Sequence, residues 1–124
     1  GNVYTFGSHL LGAHGDTEAN YTPKMLPNLK NILAIDCGSY FTICLDEFGC
    51  LYSFGSNGNG QLGIGKDKEE LSHTHIPQKI SDIPPIRQFS CGDDSTLCVT
   101  ENSEVYGFGS NNYSQLGLDA SQWV

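Results

Sequence analysis

His73 and His75 form the only close histidine pair in the sequence. With Cys91, or with Asp67, Glu69 and Glu70, they could supply the imidazole, thiolate and carboxylate donors that zinc takes. No second pair stands at ligand spacing, so the two histidines read as solvated side chains of a charged loop and no metal is expected. Gly58-Asn59-Gly60-Gln61-Leu62-Gly63 spells Gly-x-Gly-x-x-Gly, the signature of a dinucleotide site. That chemistry needs a helix opening at the glycines, so that its N-terminus can hold the pyrophosphate. Ile64-Gly65-Lys66 continues without a helical pattern, and no Ser or Thr follows the lysine as a phosphate loop requires. Asp93-Asp94-Ser95 offers carboxylates beside a hydroxyl but neither a base nor an orienting group. Tyr52, Phe54, Tyr106 and Phe108 could stack on bases, yet they alternate with small residues such as Ser53 and Gly107, the pattern of packing between sheets. The expectation is a chain with no catalytic residues, no cofactor and no metal.

What those residues share is repetition. The stretch Tyr52-Ser53-Phe54-Gly55-Ser56-Asn57, closing on Gln61-Leu62-Gly63, returns 54 positions later as Tyr106-Gly107-Phe108-Gly109-Ser110-Asn111 and Gln115-Leu116-Gly117. A shorter cousin opens the chain at Val3-Tyr4-Thr5-Phe6-Gly7-Ser8, offset by 48 and keeping only Leu11-Gly12 of the closing element. Pro23, Leu29, Ile32 and Ile35 recur with the shift of 54 as Pro77, Ile83, Ile86 and Phe89. A period near fifty residues marks a solenoid, propeller or array.

Alternation of apolar and polar residues predicts strands at 2–6, 31–37, 41–45, 51–54, 86–91 and 105–108. Asp46-Glu47-Phe48-Gly49 and Thr100-Glu101-Asn102-Ser103 read as hairpin connections. The segment from Ile64 to Ile76 reads as a long charged loop, with one helical turn over 67–71, and 77–80 as a short strand. The first unit's counterpart, through Thr17 and Asn20 to Pro23, reads as a shorter loop. Each unit therefore carries about four short strands in a meander, which suits blades set radially around a channel. No segment sustains a helical period, and the Trp-Asp mark of another propeller class is absent. The fold class is all-β: a partial β-propeller, with about two four-stranded antiparallel blades plus an incomplete one. The units fall as a partial repeat over 1–36, a repeat over 37–90 and a truncated repeat over 91–124, all within one propeller domain.

Composition narrows the partners. Six Lys and Arg against 14 Asp and Glu give a formal charge of −8, which disfavours a direct grip on DNA, RNA or anionic membrane. Fifteen glycines in 124 residues, about 12% against a usual ~7%, fit many turns. Of the five cysteines, Cys37 and Cys44 recur as Cys91 and Cys98, and repeated positions suggest small buried strand residues. Without a visible signal peptide they read as reduced, and the localisation as intracellular, cytoplasmic or nuclear. No apolar run reaches the ~20 residues of a membrane span.

The sentence Cys-Gly-x-x-x-Thr, a hairpin, then Tyr-x-Phe-Gly-Ser-Asn-x-x-x-Gln-Leu-Gly runs over 37–63 and 91–117. It closely resembles the regulator of chromosome condensation repeat. That resemblance implies a seven-bladed β-propeller. Seven units of this length need roughly 380 residues, so the chain supplies about 2.3 units. The family often places a histidine after the Cys-Gly corner; here Phe41 and Ser95 take that slot. The resemblance also implies candidate roles. The first is a non-catalytic protein-interaction or scaffold segment, its partners being the other blades of the propeller, associated chains and further proteins. Alternatives are a part of a guanine-nucleotide exchange factor acting on a small GTPase, or of the propeller of a HECT-type ubiquitin ligase. Long loops carry recognition more often than strands do, so the candidate contact residues are Lys66, Asp67, Lys68, Glu69, Glu70, His73 and His75, with 18–21 second. Gly55, Gln61, Leu62, Gly63 and their copies Gly109, Gln115, Leu116, Gly117 are assigned a structural role.

Overall fold

The structure, a computed structural model, describes residues 1–8, 15, 19–65 and 71–117. Among these it contains nine strands and no helix. They are β1 (Tyr4–Gly7), β2 (Asn20–Met25), β3 (Ile32–Cys37), β4 (Phe41–Asp46), β5 (Leu51–Ser56), β6 (His73–Lys79), β7 (Ile86–Cys91), β8 (Ser95–Thr100) and β9 (Val105–Gly109). Three antiparallel sheets result, in the orders β1-β2, β3-β4-β5-β6 and β7-β8-β9. One sheet is thus a complete four-stranded meander, flanked by one of two strands and one of three. The fold is all-β, as the repeat predicts.

The repeat extends to register. Tyr4 faces Met25 and Gly7 faces Asn20, just as Tyr52 faces Lys79 and Gly55 faces Thr74. Both pairings are interrupted at the same place, opposite Phe6 and Phe54. Matching bulges also open β3–β4 after Ile32 and β7–β8 after Ile86. Bulges bend and twist a strand locally, so their repetition gives successive sheets the same twist.

Two predicted loops are strands instead. β6 begins at His73, not at Pro77, and β2 occupies part of what reads as the first loop. Both are outermost strands carrying a proline, Pro77 and Pro23, at the interrupted pairing. A proline removes one ladder donor, which an edge tolerates. The predicted helical turn over 67–71 lies outside the described residues apart from Leu71, which is in neither helix nor strand.

The core lies in two seams between sheets. Val3, Leu26 and Leu29 of the first unit enclose Cys44 and Phe54 of the second sheet. Phe41, Ile43, Leu45, Leu51, Leu62 and Ile80, from the second sheet and its flanking turns, enclose Ile86 and Cys98 of the third sheet. Hydrogen bonds clasp each seam in the same way. Ile32 N–H donates to Gly1 O across the first seam and Ile86 N–H to Gly49 O across the second, while within the sheets Glu47 N–H donates to Asn31 O and Glu101 N–H to Pro85 O. Each sheet thus stacks on the one before it through the same contacts, the nearest-neighbour logic of a repeat protein.

Candidate functional site

The glycine-rich stretch that resembles a nucleotide loop forms a knotted turn after β5. Asn57 Oδ1 accepts from Leu62 N–H at 3.2 Å, and Gln61 Oε1 accepts from Asn59 N–H at 2.8 Å. Gln61 Nε2 donates to Ser56 Oγ, and Gly63 N–H donates to Gly60 O. After β9 the set repeats: Asn111 Oδ1 accepts from Leu116 N–H at 2.9 Å, Gln115 Oε1 from Tyr113 N–H at 2.9 Å, and Gly117 N–H donates to Ser114 O. Asn and Gln at this spacing turn their amides inward and consume the backbone N–H groups that a phosphate would need. Gly63, at φ 63°, lies against the next sheet, where a Cβ would come 2.8 Å from the Phe108 ring. Ser53 Oγ donates to Leu62 O across the sheet face.

Gln61 is 1% exposed, whereas Gln115 lies in the open. Gln61→Ala should therefore destabilise the chain by about 1–3 kcal/mol, because a buried side chain is lost together with its bonds to Asn59 N–H and Ser56 Oγ. Gln115→Ala should cost about 0.5 kcal/mol or less, as surface changes usually do. Urea midpoints compared at constant slope would separate them.

The narrow corner between β3 and β4 meets the one between β7 and β8. Cys91 N–H donates to Asp36 Oδ2 at 2.8 Å, and Ser39 N–H donates to Asp93 O at 2.8 Å. Phe41, in the slot often filled by histidine, is 1% exposed, and its ring occupies the space a side chain on Gly38 would fill. The corner is braced here by packing and by the Asp36 carboxylate.

The cysteines divide. Cys44 and Cys98 are buried, as repetition suggests, but Cys37 is exposed and Cys91 half-buried, and all five are free. Cys37 ends β3, a strand with no equivalent in the two-stranded first sheet among the described residues. Burial pushes the Cys44 thiol up to about 12, with Cys37 and Cys91 adding to the shift. Burial likewise lifts Cys91 to about 12 against the opposing Thr96 hydrogen bond, and Cys98 to about 11. An unfolded cysteine titrates near ~8.5. A raised folded value means that folding favours the neutral thiol, so this stability is complete below pH ~8.5 and declines as pH rises towards 12. The melting temperature should fall across that window, and replacing Cys44 and Cys98 by alanine should flatten the fall.

Of the candidate contact residues, Lys66, Asp67, Lys68, Glu69 and Glu70 lie outside the described residues. Glu18 does too, while Tyr21 on β2 is 96% exposed. His73 and His75 sit in β6, where the His73 ring meets Ser72 Oγ at 3.0 Å. No group of three metal-ligating side chains converges among the described residues. No helix among them is long and apolar enough to cross a membrane. Sequence reasoning missed a cleft of about 460 Å³ between the knuckle after β5, the turn at Ser81–Ile83 and β9.

The sequence profile of the regulator of chromosome condensation (RCC1) repeat matches residues 1–45 and 49–99. The chain belongs to this repeat family. A second profile of the same repeat matches residues 32–61 and 86–115. The chain is similar to the serine/threonine-protein kinase Nek9 of Mus musculus, 37% identical over 94% of this chain and 12% of the kinase. It is similar to the regulator of chromosome condensation of Homo sapiens, 35% identical over 99% of this chain and 30% of that protein. The chain thus spans less than a third of either relative. Among solved structures, Prp20p of Saccharomyces cerevisiae, described with its binding to Gsp1p and histones, superposes with a TM-score of 0.77 at 23% identity, over 87% of this chain and 29% of that one. At that identity the likeness speaks for the propeller fold alone.

Proposed function

We propose that the chain is a non-catalytic protein-interaction segment of an RCC1-like β-propeller and works as part of an intracellular scaffold. The observation that carries this reading is what the two outer faces expose. Leu97 and Val105 of the third sheet are 43% and 68% exposed, whereas their equivalents Ile43 and Leu51 are 0% and 1% exposed. At the other end Tyr4 and Phe6 are 57% and 64% exposed, whereas Phe54, the equivalent of Phe6, is 0% exposed. Interface residues with nothing against them call for further blades or partner chains. The units 1–36, 37–90 and 91–124 are offset from the sheets by one strand, since most of β3 falls in the first unit and most of β7 in the second.

Exchange activity on a small GTPase is the second reading, favoured by likeness to proteins named for chromosome condensation and, for Prp20p, for binding Gsp1p. A shared repeat does not carry an activity with it. Release of labelled GDP from a panel of small GTPases separates the two. The scaffold reading expects the longer protein containing these blades to leave release at its spontaneous rate; acceleration by orders of magnitude would replace it with exchange.

A further inference from the structure

β6 is the last strand of the four-stranded sheet, and among the described residues no strand lies along its outer side. Backbone N–H and C=O groups along such an edge are a template on which an extended peptide can add as a further strand. Ser53 faces Gln78 and Gly55 faces Thr74, so His75, Ile76 and Pro77 together stand opposite Phe54 alone. That surplus is a bulge, which bends β6 away from the straight ladder that a new strand needs.

The bulge is held by its own side chains. Ile76 N–H donates to Thr74 Oγ1 at 3.1 Å, and the same hydroxyl donates to Ile76 O at 3.2 Å. Gln78 Nε2 donates to Ile76 O at 3.1 Å. Both polar groups of the Ile76 backbone are thereby occupied without a partner strand, as happens where short polar side chains compete with a ladder. Pro77 has no N–H to offer, and the exposed Lys79 adds a charge at the strand's end. The Ile76 side chain itself is 50% exposed, so the clasp does not serve to bury it. Nor is the clasp a feature of the repeat. The proline recurs in β2 as Pro23, whereas Asn20 and Lys24 stand in the places of Thr74 and Gln78.

We propose that Thr74, Pro77 and Gln78 close the outer edge of the four-stranded sheet to strand addition, so that protein partners meet this blade through its turns and loops and not by extending its sheet. The statement about partners rests on the scaffold reading; the closed edge does not, so the two can fail separately.

The test is rapid-mixing hydrogen exchange of the chain at low micromolar concentration, resolved to single amides. Thr74→Val keeps the shape of the side chain and removes its hydroxyl. The Ile76 amide should then exchange roughly three- to tenfold faster, the worth of one hydrogen bond. Thr74→Ser restores a hydroxyl and should return the rate to that of the wild type. The edge itself is probed with acetyl-Thr-Val-Thr-Val-Thr-Val-Thr-amide, an alternating β-former, at millimolar concentration. This peptide should leave exchange over 73–79 unchanged in the wild type. In the triple variant Thr74→Val, Pro77→Val, Gln78→Val the edge regains its donors and acceptors, and the peptide should slow exchange there several-fold. Unaltered exchange in β4 and β5 shows that the sheet is intact in each variant. Slowing of wild-type β6 by the peptide, an Ile76 amide as fast in the wild type as in Thr74→Val, or an intact triple variant that takes the peptide no better than the wild type each overturns the proposal. None of these results touches the scaffold reading, which rests on the faces of the outer sheets and is decided by the release of GDP.

Discussion

Gly63→Val is expected to cost about 3–5 kcal/mol, a sum of backbone strain and overpacking. Gly63 holds φ at 63°, where a β-branched side chain is a true outlier. Its missing Cβ also leaves room for the next sheet, since Phe108 Cδ2 would lie 2.8 Å and Cε2 2.9 Å from that atom. The two causes can be told apart inside the same chain. Gly117 repeats Gly63 at φ 67°, but a Cβ there meets nothing within 4 Å. Gly117→Ala should therefore cost only the backbone part, about 1–2 kcal/mol, and Gly63→Ala that amount plus the ring contact. Pairing Gly63→Ala with Phe108→Leu should recover part of the second component and none of the first. Equal costs for Gly63→Ala and Gly117→Ala in denaturant titrations would show that the seam does not depend on this close approach.

That comparison is available because the repeat could be read directly. The shift of 54 placed Gly63 and Gly117, Gln61 and Gln115, Cys44 and Cys98 in pairs, and the knuckle hydrogen bonds do recur in both copies. β1, β3, β4, β5, β7 and β9 were equally legible from alternation of residue types, whereas β8, Ser95–Thr100, was not among the strands expected there. The outermost strands were not legible either. β2 and β6 carry Asn-Tyr-Thr-Pro-Lys-Met and His-Thr-His-Ile-Pro-Gln-Lys, whose bulge and proline break the alternation that a strand prediction needs. A contact such as Asp36 to Cys91 N–H leaves no trace in the repeat, because the residue equivalent to Asp36 is Ser90. The exposure of Cys37 depends on which sheet stands in front of it, and the sequence of one repeat does not contain that. The cleft was invisible for the same reason. Ile64 falls in a predicted loop and Ile83 at a position matched by the repeat, and neither reading places a cleft between two sheets.

The same reliance of each sheet on its neighbour bears on how the chain behaves alone. Residues 1–124 by themselves are expected to associate in a concentration-dependent way. The two outer faces differ, one offering Leu97 and Val105 and the other Tyr4 and Phe6, so contact between copies is head-to-tail. Head-to-tail contacts grow into rings or open chains rather than stopping at a symmetric dimer. The edge of β9 strengthens the tendency, since β5, its equivalent, pairs with β6 while among the described residues β9 pairs with β8 alone. Burying Val105 and Leu97 as fully as Leu51 and Ile43 would contribute about 1.5–3 kcal/mol per side chain relative to exposure, enough to offset much of the entropy lost on association. Placing charge on that face, with Leu97→Lys and Val105→Lys together, should abolish the effect while leaving the first seam untouched, because neither residue belongs to it. Sedimentation across a hundredfold range of concentration reads this out, with the double variant at the mass of one chain throughout. A wild-type chain that stayed monomeric over the whole range and unfolded in one sharp transition would mean that its exposed faces need no covering. The inference from those faces to further blades or partners would then lose its footing.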